Sequence, residues 1–212
     1  MIRLEQELLY EVDWRTNELS IIRTIPIRCN CNDKQIEILE RYSVVAIYSV
    51  WEGFVVKSFN LYIREINNLN LTYEDLNLNI LTHDIFVKYG LKEEQRKHFK
   101  NKCLFINNII EYSKLPINIS PSLPTESNVN FKVINQILTH FYLDKLPENE
   151  FKQGLEKLLY YRNSIAHGES SLLVNKELIQ NFISTVINAM HEVTTLIIDG
   201  FCNQKYLNDA HS

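Results

Sequence analysis

The sequence predicts an all-α protein, and three features carry that expectation. Apolar residues recur at helical spacing over long stretches, strand-like alternation is hard to find, and glycine and proline number only five each. With 45% hydrophobic residues, the 212-residue chain is long enough to bury one sizeable core. Residues 1–203 are expected to form a single helical bundle around a long buried central helix, with an irregular proline-containing insertion. Residues 204–212 read as a frayed tail.

The first helix is expected from about Leu4 to Thr24, through Leu8-Leu9-Tyr10, Val12, Trp14, Leu19 and Ile21-Ile22, with Pro26 ending it. Arg28 to Asp33 reads as a connector. The second helix, about Lys34 to Asn67, is apolar all round, through Val44-Val45-Ala46-Ile47, Val50-Trp51 and Phe54-Val55-Val56. Such a helix belongs in the middle of a bundle. Glu52 is its only charge between Arg41 and Lys57, and a lone carboxylate there needs a partner or an upward pKa shift. The asparagine-rich stretch 67–79 reads as a loop with a turn opened by Thr72.

A short helix follows to Gly90, then a helical stretch from Leu91 to Ser113 with Lys92, Arg96, Lys97, Lys100 and Lys102 near its start. Pro116, Pro121 and Pro124 mark an irregular segment, either packed over the core or a mobile flap. Asn130 to Tyr142 is predicted helical. Pro147 opens the next helix, a first turn being where proline fits. Asn175 caps the last, Lys176 to Asp199, with Gly200 as its stop.

Composition excludes some roles. No run of eighteen apolar residues speaks for a membrane span, and Glu5 and Glu7 stand where a signal peptide needs positive charge. A cytoplasmic protein without membrane contact is expected. Cys29, Cys31, Cys103 and Cys202 make no C-x-x-C framework, and Cys29 and Cys31 lack companion zinc ligands, so neither a metal nor another cofactor is expected. A net charge of −4 argues against broad coating of nucleic acid, while leaving room for a small RNA site with local positive charge.

The chemistry concentrates in Tyr161-Arg162-Asn163-Ser164-Ile165-Ala166-His167-Gly168-Glu169. Phe151, Leu155, Leu158, Leu159, Ile165 and Ala166 fall within one arc at about 100° per residue, and Arg162 projects from its middle. An arginine so placed snorkels out, pairs with a buried carboxylate, or waits for an anion across an interface. Glu52 is the expected carboxylate. His167 precedes a glycine able to end the helix in the left-handed conformation, at the end where the dipole favours a cation. A guanidinium and an imidazole at one helix end suit phosphate chemistry. The bland alternative is a structural ion pair plus a capping histidine.

Arg162-Asn163 through Ala166-His167, with four residues between Arg and His, resembles the signature of the HEPN superfamily of helical ribonucleases. More narrowly, Arg162 to Glu169, Tyr48 to Phe54 and Glu126 to Phe131 look like the MAE_28990/MAE_18760-like and RiboL-PSP-HEPN subfamilies. The resemblance implies a HEPN-like bundle and a metal-independent endoribonuclease of a bacterial toxin or antiviral defence system. Arg162 and His167 would be catalytic, and the RNA would end in 2′,3′-cyclic phosphate and 5′-hydroxyl. A controlling partner such as an antitoxin or defence protein is in keeping with that setting. Where nucleotidyltransferase-paired relatives carry a Tyr two places after the His, this chain has Glu169, which makes control by modification of that residue less expected.

Arg162 and His167 lie about 140° apart on an ideal helix, which suits a composite site across the two-fold axis of a homodimer. Asn163 is read as an orienting residue for His167, four residues on, and Glu169 as a loop acid or a supporting group. Lys92, Arg96, Lys97 and Lys100 are either a solvated helix face or a track for RNA phosphates. The remaining alternative is a HEPN-like dimerisation or RNA-binding module without turnover.

Overall fold

The computed structural model describes residues 3–90, 98–112, 114–125, 128–169 and 171–208. Seven helices run through them: α1 (Arg3–Arg28), α2 (Asp33–Asn67), α3 (Leu78–Tyr89), α4 (Phe99–Tyr112), α5 (Phe131–His140), α6 (Glu148–Ala166) and α7 (Lys176–Cys202), with a 3-10 turn at Tyr73–Asp75. The only strand-like pairing among the described residues is two isolated bridges, Thr72 with Pro116 and Leu76 with Leu207. The all-α bundle is as the sequence implies.

The long apolar helix is the centre. α2 packs against α1, α6 and α7, which buries much of its surface from Val44 onward. Val44, Ile47, Trp51, Phe54, Phe59 and Tyr62 along it are fully buried. A capping box starts it: Asn32 accepts from the Gln35 backbone and the Gln35 side chain accepts from the Asn32 backbone. By length and composition α2 is apolar enough to cross a membrane, yet over half of that stretch is buried against the other helices. Core packing accounts for its character.

Two helix ends differ from expectation. α1 runs through Pro26 to Arg28. A proline forfeits one backbone hydrogen bond, and one turn from the end the chain tolerates this, with Cys29 N bonding to Ile25 O at 2.9 Å. α7 continues through Gly200 to Cys202. Gly200 is there for close packing, since a Cβ would collide with the Leu143 side chain. The chain reverses at Gln204, in the left-handed region at φ 54°.

The expected frayed tail is packed as far as Asn208. Tyr206 is buried, Asn77 N donates to Tyr206 O and Asn208 N to Asp75 O, both at 2.8 Å. A polar composition hid this, because backbone groups make many of the contacts, beside Tyr206, Leu207 and an ion pair of Lys205 with Asp144 at 2.7 Å.

In its described parts, the proline-bearing segment is a loop packed on the core. Ile117 and Ile119 are buried. Asp84 of α3, fully buried, accepts from Ser120 N at 2.7 Å and from Tyr112 Oη at 2.9 Å, and pairs with Lys88 at 2.8 Å. A buried carboxylate needs such full compensation. Asn67 clamps Ile119 through both its amide and its carbonyl, at 2.7 and 3.0 Å.

Candidate functional site

α6 buries the arc its sequence implies, through Phe151, Leu155, Leu158 and Ile165, whereas Ala166 is exposed. It ends as expected. His167 is the C-cap and Gly168 takes φ +83°. Gly168 N bonds to Ile165 O at 3.0 Å and Glu169 N to Ser164 O at 2.9 Å, the paired bonds of a Schellman motif. His167 thereby occupies a fixed backbone position, exposed, with no hydrogen-bond partner for its ring among the described residues.

Arg162 is half-buried, and its guanidinium lies over the ring of Tyr48 on α2, with Cζ 4.6 Å from the ring centroid. Nη1 donates to Asn163 Oδ1 at 2.7 Å and makes a long contact of 3.5 Å with Asn128 Oδ1. The expected ion pair with Glu52 is absent. Glu52 instead accepts from Tyr48 Oη at 3.4 Å, so the carboxylate and the guanidinium address different parts of one tyrosine. No carboxylate among the described residues lies within ion-pair distance of Arg162. The difference matters chemically. A carboxylate would neutralise the guanidinium, whereas the negative face of an aromatic ring attracts it and leaves its charge available.

Tyr48 is itself tightly held. It is 1% exposed, and its hydroxyl accepts from Val129 N at 2.6 Å. Burial, reinforced by the nearby Glu52 charge, pushes its phenol up to about 12. The ring therefore stays neutral under Arg162 at any physiological pH. Neighbouring Trp51 donates to Val129 O at 2.8 Å, so both backbone groups of Val129 are tied to α2.

Asn163 serves the arginine through its side chain, and His167 only through its backbone, where His167 N donates to Asn163 O at 2.9 Å. This corrects the expected reach of its amide toward the imidazole. Glu169 is exposed, its carboxylate accepting from Ser171 Oγ at 3.1 Å and its backbone carbonyl from Arg41. Lys100 is exposed near the start of α4, with no bond to the motif, while Lys92, Arg96 and Lys97 lie outside the described residues. No group of three or more metal-ligating side chains occurs among the described residues, and all four cysteines are free.

Sequence reasoning passed over Tyr48, Asn128 and Arg41. Tyr48 opens the stretch Tyr48 to Phe54, and Asn128 lies within Glu126 to Phe131; both stretches stood out by resemblance without a role. Arg41 had only its place at the edge of the apolar run as a signal.

A long buried helix wrapped by three others, with an Arg-to-His motif closing the third helix of that bundle, defines a HEPN-type helical domain. The family model for MAE_28990-like HEPN proteins matches residues 4–206, and the chain belongs to that family. No curated protein and no solved structure matches it.

Proposed function

We propose that the chain is a metal-independent endoribonuclease acting in the cytoplasm as a toxin or antiviral effector, under the control of a partner protein. One observation carries the reading: Arg162 keeps an un-neutralised charge on Tyr48, five residues before an imidazole at the helix end. RNA brings its own nucleophile. The 2′-hydroxyl attacks the adjacent phosphorus, the 2′ O–P bond forms and the bond to the 5′ oxygen breaks. His167 takes the hydroxyl proton, and the 5′ oxygen leaves with a proton from solvent or from a second imidazole. Arg162 holds the non-bridging oxygens as negative charge accumulates on them.

On an ideal helix the two positions diverge by about 140°. In this reading a homodimer brings Arg162 of one protomer to the partner's His167. A second reading, a dimerisation or RNA-binding module without turnover, is favoured by the absence of any group orienting the His167 ring among the described residues.

The test uses a DNA oligonucleotide carrying a single ribose. The wild-type chain is expected to cut only after that ribose, leaving 2′,3′-cyclic phosphate, at a rate that EDTA does not change. Arg162→Ala and His167→Ala should leave it intact. Cutting of the all-deoxy strand, or equal cutting by all three proteins, would remove the ribonuclease reading.

A further inference from the structure

We propose that Tyr48 is the positioning residue for Arg162, with the segment around Val129 locking its ring in place. The inference rests on the reading of Arg162 as a phosphate ligand and adds the part that aims it. Four observations converge.

The guanidinium lies over the ring at 4.6 Å, within reach of the ring's negative face. The hydroxyl is held from two sides, by Val129 N at 2.6 Å and by Glu52 at 3.4 Å, so the side chain cannot swing away about its Cα–Cβ bond without breaking a short bond. Asn128, next to Val129, contacts Nη1 of the same arginine. The connection then runs back along the segment through backbone bonds: Asn130 N to Asn128 O at 3.0 Å, Asn128 N to Thr125 O at 2.8 Å, and Thr125 N to Leu123 O at 2.9 Å.

Each part has a distinct task. Glu52 accepts from the phenol, which gives a carboxylate on the central helix a partner without making it the arginine's counter-ion. Asn163 fixes one edge of the guanidinium. The ring supports its face. With one face and one edge occupied by uncharged groups, the remaining N–H groups are aimed rather than searching, and little side-chain freedom is left to lose when a phosphate arrives. The phenol, pushed up to about 12 by burial, is neutral as this support requires, since a phenolate would cancel the arginine's charge.

The experiment measures binding of a 2′-O-methyl RNA strand, whose blocked hydroxyl cannot attack, to the full chain and to Tyr48→Leu, Arg162→Ala and the double variant. Loss of a partly desolvated cation–π contact is expected to weaken binding about tenfold in Tyr48→Leu. The same change should have no effect once Arg162 is gone. A structural role would instead weaken both backgrounds equally. Tyr48→Phe, which keeps the ring, should bind within about threefold of wild type by the same estimate. Tyr48→Met fills the space without an aromatic face and replaces the Leu variant if circular dichroism shows that one unfolded.

Equal losses with and without Arg162, or a Phe variant as weak as Leu, overturn the proposal. So does a wild-type chain that does not bind the strand. Failure of the ribonuclease reading looks different: the strand binds with Tyr48 coupled to Arg162, yet unmodified RNA stays whole. Additive binding losses beside normal cleavage would sink the positioning role alone.

Discussion

Removing Glu52 separates two accounts of why an arginine sits on the apolar face of α6. If Glu52 and Arg162 were a buried ion pair, deleting either partner would strand a charge and cost about 3–5 kcal/mol. The structure gives smaller sums. Glu52 is half-buried and makes one hydrogen bond, to Tyr48 Oη at a long 3.4 Å, so Glu52→Ala should cost about 1 kcal/mol. Glu52→Gln, which retains an acceptor for the phenol, should cost less than about 1 kcal/mol. Arg162→Met keeps most of the side chain's packing and loses the ring contact, for about 1–2 kcal/mol. Urea unfolding of the three variants and of Glu52→Ala/Arg162→Met measures these values, with the m-value checked for constancy. A loss above about 3 kcal/mol in Glu52→Ala, largely cancelled when Arg162 is also removed, would show a direct pair and refute the ring-supported arginine.

Other substitutions probe the frame around the site. Gly168→Ala meets no neighbour but must hold φ +83°, so it should lower stability by about 1–2 kcal/mol and reduce RNA binding by disturbing the helix end at His167. Gly200→Ala places a methyl against Leu143 and should cost about 1–3 kcal/mol in thermal or urea unfolding. His83 and His140 face each other with Nδ1 atoms 3.2 Å apart. Burial lowers both pKa values, His140 lowering that of His83 further, with Asp84 opposing. The unfolded chain binds their protons more readily, so stability should be full above about pH 6.5 and fall as the pH drops through the lowered folded values. Melting temperature between pH 5 and 7.5 reports this, and His140→Gln should flatten the acid limb. At the alkaline end, Tyr48 ionises earlier in the unfolded chain than in the folded one, where its value is about 12. Stability should fall as the pH rises from about 10 to 12, less steeply in Tyr48→Phe.

Much of the fold is legible in the sequence because helical periodicity is a local signal. The all-round apolarity of α2 places it in the centre, and Asn175 and Gly168 fix two helix ends by side-chain and backbone chemistry that neighbours alone determine. Pro26 and Gly200 mislead for the same reason. Their local meaning is a helix stop, but a last turn tolerates the first and a packing partner 57 residues away demands the second. The site divides likewise. Arg162, His167 and the closing glycine sit in one short motif, whereas Tyr48 and Val129, 81 residues apart, meet through a backbone N–H that residue identity does not reveal. Glu52 reads in the sequence as a lone carboxylate needing a partner, with Arg162 the expected one, and polarity alone does not say that the partner is a phenol.

Mixing two dead proteins tests the centre of the account most directly. Arg162→Ala and His167→Ala, each inert toward RNA alone, are unfolded together and refolded so that mixed dimers form. Cleavage is expected to reappear, because a mixed dimer joins an intact Arg162 on one protomer to an intact His167 on the other. A mixture as inert as its parents, beside wild type that cuts after the same treatment, would contradict a site shared across the two-fold axis.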